Sequence, residues 1–358
     1  MDADFLIIGG GIAGISAAAR LAGLGKVLVL ESESALAHHA SGRSAALYEP
    51  RYGAPAVVEL SLASETFFQS RPGVLSPRGL MLLARSDQRA AFDQERADFD
   101  MTPCTVDEAR AIVPILNPDV VAHAALASHA WDIDTDLLLQ GFAREAKAAG
   151  ADIRTGAAVT AIRRTATGWA VSSPQGEVTG RLLINAAGAW VDQIARMAGV
   201  QPLGFTPLRR SMARLPAPGG LDVSRWPMIF GAGESWYAKP DAGALIVSPA
   251  EEDAAEPHDA WADDMVLAQG LARYEEFVTE PVTRLLSNWA GLRTFAPDRV
   301  LVIGPDAREP AFFWLAGQGG YGFQTCPAAS QLAADLLAGR QADIAPALIA
   351  ALSPARFA

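Results

Sequence analysis

The pattern of apolar and polar positions in the first 31 residues predicts a strand, a helix and a second strand. Residues 4–8 form a short apolar run of the kind found in buried parallel strands. Residues 12–24 are rich in alanine, repeat with a helical period and stop at Gly25, a residue type common just past a helix end. Residues 26–30, "KVLVL", predict the second strand. These elements together predict a βαβ unit.

A glycine-rich turn joins the first strand to the helix. Gly9, Gly11 and Gly14 have the GxGxxG spacing, and Glu31 follows Gly9 by 22 residues. The first glycine allows a tight turn, the second lets a pyrophosphate approach the backbone, and the third lets helix and strand pack closely. The helix N-terminus offers N–H groups to phosphates, and the carboxylate suits a ribose hydroxyl. We predict a dinucleotide-binding site, and the motif is equally consistent with NAD and with FAD. The alternative is a glycine-rich turn that binds no ligand.

Strand-like and helix-like patterns alternate along the rest of the chain. Helical patterns cover residues 54–69 and 132–151, the second with Asp or Thr near its cap and Gly150 at its end. Strand-like patterns cover residues 73–85, 152–173, 181–190, 299–304 and 311–317, and the Trp- and Pro-rich residues 202–300 favour an antiparallel sheet. A second glycine loop, "QGGYG", opens a last helix. No repeat, linker or charge block divides the chain, so its domains must interleave.

Composition narrows the class of protein. Of the 358 residues, 50% are hydrophobic and 19% are charged, which allows one large domain or two with a substantial core. The net charge of −11 argues against a nucleic-acid partner, because no strongly basic segment is available to neutralise phosphates. The five histidines lack a zinc-like spacing, so we expect no metal site.

The cysteines and the N-terminal segment bear on cellular location. Cys104 and Cys326 are the two cysteines and cannot form a disulfide framework, which favours a reducing, cytoplasmic setting. The apolar start of the chain imitates a signal peptide or a spanning helix, but Asp2 and Asp4 precede it and Arg20 lies within it. We therefore expect no transmembrane segment and a cytoplasmic protein, with attachment at a membrane surface as the alternative.

Seven short motifs resemble those of one flavoprotein superfamily in their order and spacing. They are "SGRSAA" (41–46), "DIDTD" (132–136), "NAAGAW" (185–190), "WPM" (226–228), "YAKPDAG" (237–243), "WAGLR" (289–293) and "GQGGYG" (317–322). Over essentially the whole chain they resemble the FAD-dependent D-amino acid oxidase and glycine oxidase superfamily, and most closely its bacterial D-arginine dehydrogenases.

The resemblance implies an α/β (α+β) fold with two interleaved domains. A Rossmann-like FAD domain of the two-dinucleotide type would comprise residues 1–46, 134–204 and 298–358. A substrate domain with a mixed, largely antiparallel sheet would comprise residues 47–133 and 205–297 and cover the flavin.

The resemblance also implies how FAD is held. The pyrophosphate would lie on the first glycine loop, the adenosine ribose on Glu31, the adenine near the backbone of Val159, and the flavin pyrimidine at the second glycine loop. Neither cysteine lies near "WAGLR", where covalent members attach flavin, so we expect non-covalent FAD. For Arg43 the alternative is a surface ion pair. The full set is Gly9, Gly11, Ile12, Ala13, Gly14, Glu31, Ser32, Ser41, Gly42, Arg43, Ser44, Val159, Ala187, Gly188, Gly319, Tyr321, Gly322, Phe323 and Gln324.

Two arginines and two tyrosines match the family's substrate site. Arg210 and Arg293 stand where the family clamps a carboxylate, which arginine can grip with two parallel N–H bonds as lysine cannot. Arg209 is the alternative to Arg210 as the inward-pointing residue. Tyr52 and Tyr237 resemble tyrosines that contact the carboxylate and close the pocket; alternatively, they are core residues with satisfied hydroxyls.

The resemblance assigns further residues around the reacting centre. The carbonyl of Gly320 would accept a hydrogen bond from the substrate amine, and Gln324 would line the pocket. No residue is an obvious general base, and hydride transfer needs none if the amine arrives neutral or if a water or a tyrosine takes its proton.

The side-chain pocket departs from that of D-arginine dehydrogenases at two positions. Leu80 replaces a glutamate that pairs with the guanidinium of arginine, and Leu47 replaces a histidine near the substrate. A buried cation left without a partner costs several kcal/mol. With Met228 and Phe230 lining the same pocket, we predict a preference for neutral, hydrophobic D-amino acids.

Glu49 provides the competing interpretation of this pocket. By analogy it faces the substrate side chain, so it could pair with a basic substrate. The alternative is that Glu49 pairs with Arg51 in its own loop.

The predicted reaction is oxidative deamination of D-amino acids to imino acids, then 2-oxo acids and ammonia, by hydride transfer from Cα to flavin N5. Alternatives are oxidation of an N-methyl amino acid, a glycine-like amine or a 2-hydroxy acid; a flavin-binding subunit without its own substrate; and an NAD-linked dehydrogenase. The paired arginines argue against an inert subunit. The partner is an amino acid, and the electron acceptor is left open between oxygen, a quinone and another carrier.

Overall fold

Strands account for most of the regular elements in the computed structural model, which describes residues 1–357. Within these residues the strands are Ala3–Ile8 (β1), Val27–Leu30 (β2), Leu47–Tyr48 (β3), Leu75–Pro77 (β4), Leu80–Ala84 (β5), Thr102–Cys104 (β6), His123–Ala127 (β7), Trp131–Ile133 (β8), Asp152–Arg154 (β9), Ala161–Arg164 (β10), Trp169–Ser173 (β11), Gly176–Asn185 (β12), Thr206–Pro216 (β13), Met228–Gly231 (β14), Tyr237–Asp241 (β15), Ala244–Ser248 (β16), Asp253–Ala254 (β17), Ser287–Phe295 (β18), Val302–Pro305 (β19) and Phe312–Ala316 (β20).

Helices pack around the sheets. In the same part of the chain the α-helices are Ile12–Leu21 (α1), Pro55–Ala63 (α2), Glu65–Gln69 (α3), Arg89–Asp98 (α4), Val106–Ile112 (α5), Thr135–Ala148 (α6), Val191–Met197 (α7), Asp264–Glu276 (α8), Gly322–Leu337 (α9) and Pro346–Leu352 (α10). A short 3-10 turn, Ala40–Arg43, precedes β3. No helix of residues 1–357 combines the length and apolar character that crossing a membrane would require.

The first sheet has eight strands and contains the predicted βαβ unit. Its order is β10-β11-β12-β1-β2-β9, and β20 pairs with β12 and β19. At its centre β1 runs parallel to both β2 and β12, with Ile8 opposite Leu30 and Asn185. Such strands are covered on both faces, which explains their nearly continuous apolar runs.

Both faces of the first sheet are packed. On one face α1, α6 and α9 enclose a core that includes Ile15, Phe142 and Leu332. On the other face Trp169 and Trp314 are fully buried. Residues at or next to the C-terminal ends of β1 and β12 and the N-termini of α1 and α9 line the cavities described below.

The second sheet has nine strands and is mixed. Its order is β17-β13-β16-β15-β14-β5-β7-β6, with β18 paired to β13. Only β14 and β5 run parallel; the other pairs are antiparallel. One face packs on α8 around Trp236 and Tyr274, and the other carries Leu82 and Phe230. A third, three-stranded sheet has the order β3-β8-β4.

Several element boundaries differ from the prediction. The single helix predicted at 54–69 is two helices, α2 and α3, separated at Ser64. The helix predicted at 132–151 begins at Thr135, because the side chain of Asp134 accepts a hydrogen bond from Leu137 N and so caps α6. The sheet predicted over 202–300 also contains α8, which Asp263 caps in the same way.

Each large sheet is built from strands of separate parts of the chain. Those of the first sheet fall within residues 1–46, 134–204 and 298–358, and those of the second within 47–133 and 205–297. That these two sets of segments are separate domains stays a prediction.

Candidate active site

Three connected cavities run between the two large sheets. The outer cavity is lined by Gly9, Gly11, Glu31, Val159 and Trp190, among others. The central slot is lined by Ile12, Ala13, Met212, Thr294 and Gly319, among others. The inner pocket is lined by Leu47, Leu80, Phe230, Tyr237 and Gln324, among others. The outer cavity and the slot share Gly11, Ser41, Arg43 and Gly188, and the slot and the inner pocket share Ser44, Arg210, Arg293, Gly320 and Phe323.

The glycine turn brings backbone close to backbone at the start of α1. A Cβ on Gly9 would lie 2.3 Å from the oxygen of Ala186, and one on Gly14 would lie 2.0 Å from the oxygen of Gly9. Gly9 also has a φ of 111°, in the left-handed region. Gly9 and Gly11 line the outer cavity, whereas Gly14 is a contact between helix and strand.

Glu31 and Ser41 stand on opposite sides of this turn. Glu31 is buried and its carboxylate accepts hydrogen bonds from Gly10 N at 2.5 Å and Glu33 N at 2.8 Å. Ser41 Oγ accepts one from Ile12 N at 3.0 Å, at the first turn of α1. Both residues line the outer cavity, as do the predicted residues Ser32, Val159, Ala187 and Gly188.

Arg43 joins the 3-10 turn at Ala40–Arg43 to β18 and to the loop before α8. Its guanidinium forms an ion pair with Asp259 and donates to the carbonyls of Ala260 at 2.7 Å and Ala290 at 3.0 Å. The ion pair considered as an alternative is therefore present, with Arg43 also lining the outer cavity and the slot.

The second glycine loop closes the other side of the central slot. Gly319, Gly322 and Phe323 line the slot, and α9 begins at Gly322 without a side-chain cap. Besides Gly14, two predicted cofactor residues face none of the three cavities. Gly42 packs on the backbone, since a Cβ there would lie 2.3 Å from Ala37 O. Tyr321 is buried against the ring of Tyr52, with centroids 5.2 Å apart.

The pairing of β13 with β18 places two arginines side by side. Arg210 is opposite Gly291 and Leu208 is opposite Arg293, so the two arginines are diagonal neighbours on one face of the sheet. Successive residues of a strand point to opposite faces. Arg209 accordingly points away and pairs with Asp253 at 2.9 Å.

The two arginines differ in how their hydrogen-bonding groups are used. Arg210 Nε donates to Glu251 O at 2.9 Å, and its Nη2 lies 3.3 Å from Glu252 Oε1. Arg293 Nη1 is buried and has no hydrogen-bond partner in the described chain. A buried guanidinium with an unused donor is costly unless a ligand supplies an acceptor. Arg293 is therefore the stronger candidate for anion binding.

The predicted tyrosines and Gln324 lie around these arginines. The Tyr52 hydroxyl is 3.5 Å from Glu234 Oε2, and burial raises the pKa of Tyr52, so its phenol stays protonated. The Tyr237 hydroxyl contacts Met212 Sδ at 3.3 Å. Gln324 connects α9 to the loop after β3, because its Oε1 accepts from Glu49 N at 3.2 Å. All three residues line the inner pocket.

The far wall of the inner pocket is mostly apolar. Leu47, Leu80, Met228 and Phe230 all line it, as the sequence predicts. Leu80 is 3% exposed and lies opposite Met228 where β5 pairs with β14.

Phe99, Glu234 and Trp236 are among the residues of this pocket that the sequence did not predict. Phe99 follows α4 and contacts Phe230, with ring centroids 5.6 Å apart. Glu234 lies in a tight turn at a φ of 48°. None of the three belongs to a motif. Only for Trp236 did the sequence contain a signal, the concentration of aromatic residues around β14 and β15.

Glu49 is a buried carboxyl group in the same pocket. Oε1 accepts a hydrogen bond from Arg51 N at 3.0 Å, and Oε2 lies 3.3 Å from His129 Nε2 without hydrogen-bond geometry. The guanidinium of Arg51 instead pairs with Asp100 at 3.2 Å. The interpretation that Glu49 pairs with Arg51 is thus correct only for the backbone N–H.

An unexpected polar cluster borders the outer cavity. Glu33, His38 and His39 bring potential ligand atoms within 4.8 Å of one another, although no sequence spacing predicted a metal site. His39 Nε2 is 3.0 Å from Glu33 Oε1, and both histidines also lie within 4.0 Å of Asp259. The two histidines are thus already paired with carboxylates of the protein.

Comparison with known proteins identifies the family. The model of the DAO family, FAD dependent oxidoreductase, matches residues 4–336. The chain belongs to this family.

A relative and two solved structures agree with this assignment. Glycine oxidase from Pseudomonas aeruginosa is 26% identical, over 97% of this chain and 98% of that protein. Glycine oxidase from Geobacillus kaustophilus superposes with a TM-score of 0.82 at 21% identity, over 98% of both chains. L-Proline dehydrogenase from P. horikoshii superposes with a TM-score of 0.83 at 20% identity, over 99% of this chain and 98% of that one. The fold is therefore that of FAD-dependent oxidoreductases, and a particular closeness to D-arginine dehydrogenase stays a prediction.

The cavities fit an extended FAD. The outer cavity is lined by Gly9 and Gly11, which have no side chain to hold a ligand away from the backbone, and also by Glu31 and Val159. A helix N-terminus and close backbone are what a pyrophosphate requires. Cys326 is buried within α9 and Cys104 lies in β6, so neither lines these cavities. This FAD-dependent oxidoreductase thus offers no cysteine for covalent attachment of flavin there.

Proposed function

We propose that the protein oxidises D-amino acids with neutral, hydrophobic side chains to imino acids, which water converts to 2-oxo acids and ammonia. One observation carries the proposal: the inner pocket and the central slot share Arg293, whose buried Nη1 makes no hydrogen bond within residues 1–357. An arginine there suits a substrate carboxylate placed next to the bond that is oxidised.

FAD would lie along the outer cavity and the central slot. Gly9, Gly11 and the start of α1 would hold the pyrophosphate, and Glu31 would accept from the adenosine ribose. The loop Gly319–Phe323 and the N-terminus of α9 would stabilise negative charge on the reduced flavin. Binding without a covalent bond is part of this proposal.

Arg293 would hold the substrate carboxylate, with Arg210 as the second cation. Because Arg210 already donates to Glu251 O and contacts Glu252, we assign it the lesser share. Tyr52, whose phenol stays protonated, would donate a further hydrogen bond, and Tyr237 would close the pocket. These contacts fix the substrate Cα against the slot.

The reaction then requires mainly that the substrate be held in the correct position next to bound FAD. Bound FAD supplies the acceptor for the Cα hydrogen and its electron pair. The carbonyl of Gly320, at the junction of slot and pocket, would accept a hydrogen bond from the amine and orient its lone pair. Leu47, Leu80 and Phe230 would exclude water until the C=N bond has formed.

The first test is anaerobic mixing of the FAD-loaded protein with single amino acids of each hand. Rapid bleaching of the flavin by D-leucine, D-methionine or D-phenylalanine, with slow bleaching by the L-forms, supports the proposal. Bleaching only by sarcosine, glycine or a 2-hydroxy acid favours the alternative, which the similarity to glycine oxidases supports. Reduction by none of these compounds contradicts both.

The apolar wall has its own test. Leu80→Glu places a carboxylate beside Met228 and Phe230, so the rate of flavin reduction by D-arginine should rise at least tenfold. Leu80→Gln, which has nearly the same shape without the charge, is the matched control and should not show this gain. No gain with Leu80→Glu would contradict the placement of the substrate side chain.

A further inference from the structure

The inner pocket contains a carboxyl group that no protein cation neutralises. Glu49 is 3% exposed and lines the part of the pocket that the central slot does not share. Its Oε1 accepts from Arg51 N, and its buried Oε2 has no hydrogen-bond partner. Buried polar atoms are normally hydrogen-bonded, so Oε2 is an unused acceptor on a residue that lines the pocket.

The nearest basic groups do not neutralise this carboxyl group. The Arg51 guanidinium is turned to Asp100, at 3.2 Å. His129 Nε2 lies 3.3 Å from Oε2, but burial lowers the pKa of His129, so the imidazole is neutral near pH 7. No cationic side chain therefore donates a hydrogen bond to the carboxylate of Glu49.

The remaining charged and titratable groups are segregated along the pocket. The two cations, Arg210 and Arg293, lie at the junction with the slot, and Glu234 lines the pocket as an exposed residue. The phenols of Tyr52 and Tyr237 line the same pocket, and the Tyr52 hydroxyl lies 3.5 Å from Glu234 Oε2. A ligand with a carboxylate at one end and an ammonium at the other would match this distribution.

We propose that the protonation state of Glu49 sets which side chain the pocket accepts: the neutral carboxyl admits an apolar end, and the carboxylate binds an ammonium at the end of an apolar stem. This inference rests on the proposed function, because the carboxylate anchor at Arg293 and the apolar wall at Leu47 and Leu80 hold the rest of the ligand. It makes one pocket serve monoamino and diamino acids in different pH ranges.

Glu49 changes its protonation state within the neutral pH range. Burial raises the pKa of Glu49 to about 7, against the lowering effect of the Arg51 N–H and guanidinium. An ordinary carboxyl is ionised throughout the neutral range. Here the carboxylate forms as the pH rises through about 7, so binding of a terminal ammonium strengthens and binding of an apolar end weakens in that direction.

Two inert acids test this without turnover. Hexanoate and 6-aminohexanoate have the same carboxylate and stem and no α-amine, and they differ in the terminal ammonium. We would titrate each into the FAD-loaded protein between about pH 5.5 and 8.5 and obtain Kd from the flavin spectrum. The ratio of the hexanoate Kd to the 6-aminohexanoate Kd should rise about tenfold across this range.

Variants assign the effect to one residue. In Glu49→Gln both acids should still bind, with a ratio that no longer changes with pH. Glu234→Gln is the matched control in the same pocket and should keep the pH dependence. A constant ratio in the unaltered protein, a persistent pH dependence in Glu49→Gln, or failure of both acids to bind would each overturn the inference. Because neither acid is oxidised, a correct ratio alongside no reaction with any amino acid would refute only the proposed function.

Discussion

At the scale of single residues, Arg293 offers the most direct prediction. Its Nη1 is buried without a partner, and its position on β18 makes it a diagonal neighbour of Arg210. Arg293→Lys keeps the charge but cannot form two parallel hydrogen bonds to a carboxylate. We expect the Kd for substrate in anaerobic flavin reduction to rise about 30- to 100-fold, equivalent to about 2–3 kcal/mol, with the cofactor still bound.

Arg209→Lys is the matched control for this change. Arg209 lies on the same strand as Arg210 but points away and pairs with Asp253, so substrate affinity should stay within twofold of the original. If Arg293→Lys also stayed within twofold, the carboxylate would have to bind elsewhere, and Arg210 would be the next residue to examine.

The same pair shows what a sequence can decide at this scale. Arg209 and Arg210 are adjacent in a strand, so one of them must point inward. Because both are arginines, the sequence alone does not show which one it is. The register of β13 against β18 decides it, and that register depends on contacts far apart in the chain. Glu49 is a similar case. Its closeness to Arg51 is evident from the sequence, but the pairing of the Arg51 guanidinium with Asp100 is not.

At the scale of elements, the contact between β1 and α1 is the most sensitive to substitution. A Cβ on Gly14 would lie 2.0 Å from the backbone oxygen of Gly9, which cannot move aside without shifting the turn. Gly14→Ala should therefore lower the free energy of unfolding by about 1–3 kcal/mol and weaken FAD binding at least tenfold. Thermal melting and fluorescence titration with FAD measure the two effects.

Gly23→Ala provides a comparison just after the same helix. No heavy atom lies within 4 Å of the Cβ that this change would add, so both quantities should remain close to those of the original protein. Equal behaviour of the two variants would show that the turn tolerates displacement of α1 and would refute the packing role of Gly14.

Elements with strong local signals were predicted well, and those that depend on tertiary context were not. The first βαβ unit has apolar runs, punctuating glycines and a terminal carboxylate, all within 31 residues. By contrast α8 lies in a Trp- and Pro-rich region, and its buried residues Leu267, Leu271 and Tyr274 form only a short helical stripe. Its identity as a helix depends on packing against the second sheet, which a local pattern does not contain.

At the scale of the whole molecule, the site is formed by segments distant in sequence. Phe99 follows α4, Glu234 lies between β14 and β15, and Gly320 precedes α9, yet all three line the inner pocket. The glycine motif predicted residues that line the outer cavity, because phosphate binding imposes a local spacing. A side-chain pocket imposes no such spacing, so Phe99 and Glu234 emerged only from the fold.

In the proposed placement, FAD would link the two large sheets. The central slot is lined by Gly11 and Gly319 from the connections of the first sheet and by Met212 and Thr294 from the second. A ligand that binds only the native state stabilises it by RT ln(1 + [L]/Kd), about 2.7 kcal/mol at a concentration of 100 times Kd. We expect this concentration of FAD to raise the Tm of the apoprotein by roughly 5 °C. ADP at the same concentration should raise it less, because ADP can fill the outer cavity but not the slot between Arg293 and Gly319. Equal stabilisation by ADP and FAD would mean that the isoalloxazine ring makes no net contribution, and the placement of the flavin in the central slot would then be wrong.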